Sequence, residues 1–135
     1  MRAMLPDLQL PVPPLWVIHA AVAAVWLYEG IWCKLAGRGP GQLEVVEAVP
    51  LFGPRSARRF LLLLGTVEAG LGIWVLSGWL AGLCVVVQTT LLVGMNTGGV
   101  LFARHRIHDP AGMLVKNFSF LVLAWLGAAL RGVVP

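Results

Sequence analysis

The sequence predicts an all-α integral membrane protein, a four-transmembrane-helix antiparallel bundle, and two observations lead to this prediction. Of the 135 residues, 59% are hydrophobic and only 12% are charged, whereas soluble domains are about 45–50% apolar and about 25% charged. The mean hydropathy is correspondingly high, at +0.84. A helix needs ~20 apolar residues to cross the ~30 Å hydrocarbon core of a bilayer. Four runs approach that length, at residues 15–36, 60–76, 79–102 and 111–130, and we expect one membrane domain over residues 1–135.

The first predicted span follows a proline-rich lead, residues 1–14, and has a tryptophan near each end. Trp16 and Trp32 suit the two membrane–water interfaces, where tryptophan is enriched. The span also contains Glu29 and Lys34, whereas the apolar core of a secretory signal peptide is shorter and uncharged. We therefore expect a membrane helix here rather than a cleaved signal.

The connector after the first span predicts a short amphipathic helix at residues 42–49. Its apolar residues, Leu43 and Val46, point down toward the membrane in helical register. Its acidic residues, Glu44 and Glu47, point into water. This separation of apolar and charged residues is typical of a helix that lies on a membrane surface.

Local signals mark the limits of the later spans. Ser77 and Gly78 leave room only for a tight turn, so we expect the second and third spans to form an antiparallel hairpin. Before the fourth span, the carboxylate of Asp109 can accept from the first helical turn, and Pro110 suits the N1 position. The sequence therefore predicts that the last helix starts at this Asp-Pro pair.

The net charge of +4 indicates membrane topology rather than nucleic-acid binding, because the chain has no basic stripe on a soluble surface. Six arginines fall in the first and third connectors, on one side of the predicted bundle: Arg38, Arg55, Arg58, Arg59, Arg104 and Arg106. The other side has only Arg2 and Arg131. Short cytoplasmic loops are enriched in Lys and Arg, so we expect cytoplasmic connectors and both termini outside.

Small residues form stripes on two of the predicted spans. In the second span, Gly65 and Gly72 share a helix face with Glu68 and predict a groove beside the acid. In the third span, Gly94 and Gly98 form a GxxxG pair. Such pairs allow two helices to approach closely in lipid, so both stripes are candidate contact faces.

Polar side chains inside the apolar runs are the candidate functional residues. A charged residue at a helix centre costs ~2.5–3.5 kcal/mol on insertion scales, so such residues are rare in membranes. The helical rise places six polar residues in the cytoplasmic half of the bilayer: Glu29, Lys34, Glu68, Asn96, Lys116 and Asn117. We expect Glu68 to have Lys34, Lys116 or Asn96 within hydrogen-bonding or ion-pair reach. The alternatives are a structural ion-pair network, a pocket for a ligand or proton, and a protonated glutamate without a partner.

The ligand-binding interpretation predicts one cavity that opens toward the cytoplasmic leaflet. Its expected polar lining is Glu29, Glu68, Asn96, Lys116 and Asn117, and Lys34 is a further candidate binding residue. Its expected aromatic walls are Trp26, Tyr28 and Phe120. Donors beside apolar walls can bind a lipophilic carbonyl compound, since they fix the oxygen while the walls cover the ring. A quinone head group has this shape.

Several kinds of chemistry have no signal in the sequence. Cys33 and Cys84 are expected in opposite halves of the bilayer, whereas a disulfide needs Cα atoms within ~7 Å. The chain has no CxxC, nucleotide loop or haem motif, and no catalytic residue can be assigned. His105 and His108 lack further ligands, so we expect no metal site and no intrinsic cofactor.

Three motifs are met in order along the chain, at residues 30–35, 65–70 and 109–117, and together they resemble those of the DoxX-like family. Residues 30–35, Gly-Ile-Trp-Cys-Lys-Leu, resemble the G-x-x-x-K-L ending of the family's first helix. Residues 65–70, Gly-Thr-Val-Glu-Ala-Gly, are similar to its Gly/Glu second helix. Residues 109–117 are similar to its D-P-x-G-x-x-x-K-N signature, although Ala111 replaces the usual aromatic residue, and Glu29 has no counterpart in these motifs.

The resemblance implies a compact four-helix membrane protein associated with redox chemistry. Its relatives include a small subunit of thiosulfate:quinone oxidoreductase and membrane partners in thiol redox complexes. It implies an accessory subunit in a bacterial plasma membrane, with a quinone as the candidate cofactor. The expected partners are the lipid bilayer, a redox protein and a second copy of the chain, and not nucleic acid. A stand-alone enzyme using the Glu and Lys residues, a structural protein and a small transporter or proton path are the alternatives.

Overall fold

The structure is a computed structural model that describes residues 11–132, which contain helices and no strand. Five α-helices are present: α1 (Leu15–Leu27), α2 (Gln42–Glu47), α3 (Pro54–Ser77), α4 (Ala81–Ala103) and α5 (Pro110–Arg131). A π-helical segment, Tyr28–Leu35, continues α1, and a 3-10 turn, Arg104–Arg106, follows α4. Four of the resulting helices are long and apolar enough to cross a membrane. The predicted all-α, four-span fold is therefore confirmed. Most of the predicted lead, with Arg2, and both chain termini lie outside the described residues.

The core lies where α1 meets α3, α5 and side chains of α4. Its buried residues come from all four long helices: Val22, Ala23, Trp26, Leu71, Val75, Cys84, Val85, Leu92 and Ala124. Large apolar side chains such as Ile73 and Phe118 instead lie exposed on the outer faces. Exposed apolar side chains of this number suit a bundle whose outer surface meets lipid rather than water.

The short helix α2 packs across one end of the bundle, which we call the α2 end. Val46 is buried against Ala57 and Leu61 of α3, and Leu43 packs beside them. The predicted sidedness is confirmed, because Glu44 and Glu47 are exposed. The apolar face of α2 therefore packs against α3. The helix ends at Glu47, before the predicted residue 49, where Val49 N–H bonds to the Val46 carbonyl instead and tightens the last turn.

Helix α3 begins at Pro54 rather than at the predicted residue 60. Gly53 is extended and Pro54 occupies the first helical turn, where a proline without an N–H costs nothing. Arg55 and Arg58, which are expected in the connector, belong to the first turns of the helix. The span therefore starts with arginines at its membrane boundary.

The predicted hairpin turn and the predicted start of the last helix are both confirmed. Gly78 ends α3 with φ of +66°, a backbone conformation that favours glycine, and α4 begins at Ala81, two residues after the predicted start at residue 79. The guanidinium of Arg131 lies against Gly78, so a side chain at that turn would displace it. Asp109 caps α5, because its carboxylate accepts from Gly112 N–H at 3.0 Å, and Pro110 starts the helix.

Candidate functional site

The first span and α3 touch backbone to backbone at two glycines. A Cβ on Gly30 would lie 2.6 Å from the carbonyl oxygen of Gly65 and 2.7 Å from the amide nitrogen of Ala69. A Cβ on Gly65 would lie 2.8 Å from Cβ of Lys34. Only glycine fits such an approach. The predicted small-residue groove of α3 is confirmed here, and it also includes Gly72, which receives α1.

The π-helical segment sets the direction of two charged side chains of the first span. Glu29 and Lys34 are five residues apart, which is about 140° around an ordinary α-helix, so they would face different sides. In Tyr28–Leu35 the backbone instead follows the wider π-helical turn, and Ala36 N–H donates to the Ile31 carbonyl, five residues back, at 2.8 Å. This wider turn brings residues five apart together, so both side chains reach the same point beside α3.

Glu29, Lys34 and Glu68 form a cluster that we call the Glu–Lys triad. Lys34 Nζ lies 2.7 Å from Glu68 Oε2 and 3.6 Å from Glu29 Oε2. The side chains of Glu68 and Lys34 are 1% and 7% exposed, whereas that of Glu29 is 39% exposed. The predicted contact between Glu68 and Lys34 is confirmed. One ammonium thus serves two carboxylates, one sealed inside the bundle and one at its edge.

Helix α2 contributes a residue to the triad that the sequence analysis missed. Gln42 Nε2 donates to Glu29 Oε2 at 3.0 Å, so the exposed carboxylate is held from the other side. Gln42 is the first residue of α2, and its only signal in the sequence is a neutral polar side chain near the membrane surface. A contact between α2 and the first span leaves no periodic pattern in the sequence that could have identified it.

Trp26 fills the centre of the bundle and connects three spans. Its indole Nε1 donates to Gln88 Oε1 of α4 at 2.8 Å, and its ring packs nearly perpendicular to that of Phe120 of α5, with 5.5 Å between the centroids. Trp26 and Phe120 are therefore neighbours. They pack against each other in the core, and Tyr28 lies exposed on the outside of the first span.

Asn96 and Asn117 form a second polar group, which we call the amide pair. Asn117 Nδ2 donates to Asn96 Oδ1 at 2.8 Å and joins α5 to α4. Farther along the same two helices, Trp125 Nε1 donates to Thr89 Oγ1 at 2.8 Å. Among residues 11–132, no hydrogen bond or ion pair connects the amide pair with the Glu–Lys triad. Four of the five predicted polar lining residues thus fall into two separate groups.

Lys116 belongs to neither group. Its side chain is exposed, whereas the neighbouring Asn117 is half-buried against α4. Adjacent residues point about 100° apart around a helix, so only one of the two can face the neighbouring helix. A lysine on the outer face of a span can extend its ammonium to the membrane surface.

A groove between α4 and α5 adjoins the amide pair. It has a volume of about 350 Å³, within the range of ~300–1,000 Å³ that is usual for ligand pockets. Its lining residues are Val93, Asn96, Thr97, Val100, Leu101 and Leu114. Most of this wall is apolar and exposed on the outer face of the bundle. The groove therefore opens toward lipid and has an amide side chain in its wall.

Other side chains offer little for metal or thiol chemistry. Cys33 and Cys84 are both buried and free. Cys84 Sγ accepts a long hydrogen bond of 3.5 Å from Gln88 Nε2. Within the described part of the chain, no three His, Cys, Asp or Glu side chains come together in a way that could hold a metal ion.

Comparison with known proteins gives one match. The family model described as the DoxX-like family matches residues 23–125. The matched region contains the Glu–Lys triad, the amide pair and the groove. No curated protein and no solved structure matches the chain.

Proposed function

The chain belongs to the DoxX-like family, and on this premise we propose that it is an accessory subunit of a membrane redox system. In this proposal the groove between α4 and α5 holds the head group of a lipophilic carbonyl compound, a quinone. A partner protein supplies the electrons, since the sequence has no redox cofactor motif. The location proposed with this function is a bacterial plasma membrane, with both termini outside.

The observation that carries the proposal is the amide of Asn96 in the wall of the groove. Its Oδ1 already accepts from Asn117, and among the described residues its Nδ2 donates to no protein acceptor. A polar N–H group that faces hydrocarbon without a partner costs free energy. A ligand carbonyl beside Asn96 would satisfy this donor, and the apolar wall would cover the ligand ring.

The hydrogen bond within the amide pair supports an Asn96 amide group that is already oriented before a ligand binds. Because the Asn96 carbonyl is turned to Asn117, the amide nitrogen is the part of the side chain left for a ligand. The second hydrogen bond between α4 and α5, from Trp125 to Thr89, supports the fixed spacing of the groove walls. A donor whose direction is set before binding loses less conformational entropy when the ligand arrives.

The Glu–Lys triad supports a structural role instead, which is the second candidate function for the buried charges. Glu68 is almost completely buried, and the Lys34 stem crosses α3 at Gly65 in contact distance. Close packing at this crossing favours an ion pair that fixes the register of the first span on α3. Such pairs are weak net stabilisers, yet removing one partner leaves an uncompensated buried charge.

Quinone titration tests the proposed ligand. The full chain in lipid nanodiscs is titrated with a short-chain quinone analogue, and quenching of tryptophan fluorescence is recorded. Wild type should bind saturably, and Asn96→Leu should weaken the affinity about five- to tenfold, the usual value of one hydrogen bond. Thr90→Val is the matched control, because Thr90 is an exposed residue of α4 outside the groove. Absence of saturable binding to wild type would contradict the proposal. Equal affinities of Asn96→Leu and Thr90→Val would also contradict it.

The accessory role is tested separately from the ligand. Gentle extraction from the native membrane, followed by native mass spectrometry, should show the chain together with a redox protein. Recovery of the chain alone, or only with copies of itself, would contradict the accessory role. It would not bear on the quinone site, which the titration tests separately.

A further inference from the structure

Six exposed arginines lie at the α2 end of the bundle, and we call them the arginine patch. They are Arg38, Arg55, Arg58, Arg59, Arg104 and Arg106. Among residues 11–132, the ion pairs present are those of Lys34 with its two glutamates. None of the six guanidinium groups is therefore paired with a carboxylate in the part of the chain that the structure describes.

The fold gathers these arginines around one short helix. Helix α2 contacts α3, α4 and the 3-10 turn Arg104–Arg106. The arginines of the first turns of α3 and those of the turn after α4 therefore flank the same helix. Glu44 and Glu47 of α2 are exposed nearby, but neither lies within ion-pair distance of an arginine.

The arginine patch is expected at the depth of lipid head groups. Arg55 lies in the first turn of the apolar span Pro54–Ser77 and Arg106 ends the span Ala81–Arg106, so we expect these side chains at the boundary of the hydrocarbon core. The guanidinium carbon of Arg38 lies 4.6 Å from the ring centroid of Trp32. Tryptophan prefers the membrane–water interface, so we expect Arg38 at that depth as well.

The first turn of α3 adds positive rather than negative charge to this surface. The first turn of α3 contains no acidic residue, and no side chain caps it. The positive end of the helix dipole therefore coincides with Arg55 and Arg58, an arrangement that favours a bound anion. Arginine binds phosphate through two parallel N–H donors, and basic residues next to a span attract anionic lipids.

From the charge, the depth and the lack of internal partners, we infer that the arginine patch binds the phosphate head groups of anionic phospholipids. This inference is independent of the proposed quinone site, which lies on α4 and α5. It gives the α2 end a specific lipid environment, with phosphates between the arginines of α3 and those that follow α4.

The test measures lipid binding to the full chain in detergent by native mass spectrometry. Phosphatidylglycerol is the anionic probe, and phosphatidylcholine is the neutral one. Wild type should retain phosphatidylglycerol in preference, and retention should fall as salt screens the charges. Replacing arginines by glutamine in R55Q/R58Q/R59Q should weaken binding by about fivefold for each charge removed. The charge-preserving R55K/R58K/R59K should stay within a few fold of wild type.

Two single variants form a matched pair that does not depend on the folding of the triple variant. R58Q should weaken phosphatidylglycerol binding, whereas R131Q, an arginine at the opposite end of the bundle, should leave it unchanged. Equal effects of R58Q and R131Q would overturn the inference. Equal retention of the two lipids by wild type would also overturn it, as would displacement of bound lipid by inorganic phosphate but not by sodium chloride at the same ionic strength.

Discussion

Lys34 and Glu68 form a buried ion pair across the closest approach of two membrane spans, with 2.7 Å between Nζ and Oε2. Glycines at the crossing allow this contact, because the Lys34 stem lies over Gly65 and Glu68 follows one turn later on α3. The ion pair is therefore a consequence of backbone packing. Its predicted role is to hold the first span in one register on α3.

Lys34→Met should destabilise the protein by about 3–5 kcal/mol, because Glu68 would keep a buried charge without its main partner. Lys116→Met is the matched control, since it makes the same substitution at an exposed lysine. The control should change the free energy of unfolding by no more than about 0.5 kcal/mol. Reversible unfolding in mixed micelles measures both values. Equal losses in the two variants would contradict the structural role of the triad.

Replacing both partners should cost less than replacing one. In Lys34→Met/Glu68→Leu no buried charge is left alone, and apolar replacements of buried ion pairs are often neutral. The double variant should therefore be more stable than Lys34→Met alone, and the double-mutant cycle should give a coupling of about 0.5–3 kcal/mol. Additive effects in the same unfolding assay would show that the two side chains do not interact.

Gly30→Ala should destabilise the bundle by about 1–3 kcal/mol through overpacking. The new methyl would overlap the α3 backbone at Gly65, which cannot move aside as a side chain could. Gly70→Ala is the matched control on α3, because a Cβ there meets nothing within 4 Å. Helix propensity predicts that the control is neutral or stabilised by up to about 1 kcal/mol. A larger loss from Gly70→Ala than from Gly30→Ala would refute the crossing.

Quinone affinity should distinguish neighbouring residues of α5. Asn117→Leu removes the group that holds the Asn96 carbonyl, so affinity in the nanodisc titration should fall by a few fold. Lys116→Met should bind as wild type does, because the lysine lies exposed and away from the groove lining. If Lys116→Met were the weaker binder, the ligand would lie on the other face of α5.

Much of the fold could be predicted because its signals are local. The Asp109 cap and the Gly78 turn each depend on a few adjacent residues, and both are present. The depth of Glu68 and Lys34 followed from the helical rise, and they do meet. The meeting of Glu29 with Lys34 needs a π-helical turn, which the spacing of residues along an α-helix does not predict.

Helix rotation and partner choice could not be predicted in the same way. Lys116 and Asn117 have the same depth, and packing on α4 decides which one faces inward. The two glycine stripes illustrate the same limit. Gly65 meets the first span backbone to backbone, whereas Cβ atoms on Gly94 and Gly98 would meet nothing within 4 Å. The spacing of small residues shows where another helix could approach closely. Whether a helix packs there, and which one, depends on the arrangement of the whole bundle.

The central claim is that the buried polar residues divide into a structural ion pair and a ligand-binding amide pair. Photoaffinity labelling with a photoreactive quinone, followed by peptide mass spectrometry, tests it most directly. Excess unreactive quinone serves as the control, because it should suppress specific labelling. The account predicts suppressible label on residues 93–101 and around Leu114, which line the groove. Suppressible label on residues 29–35 or at Glu68 would instead identify the Glu–Lys triad as the ligand site and contradict the account.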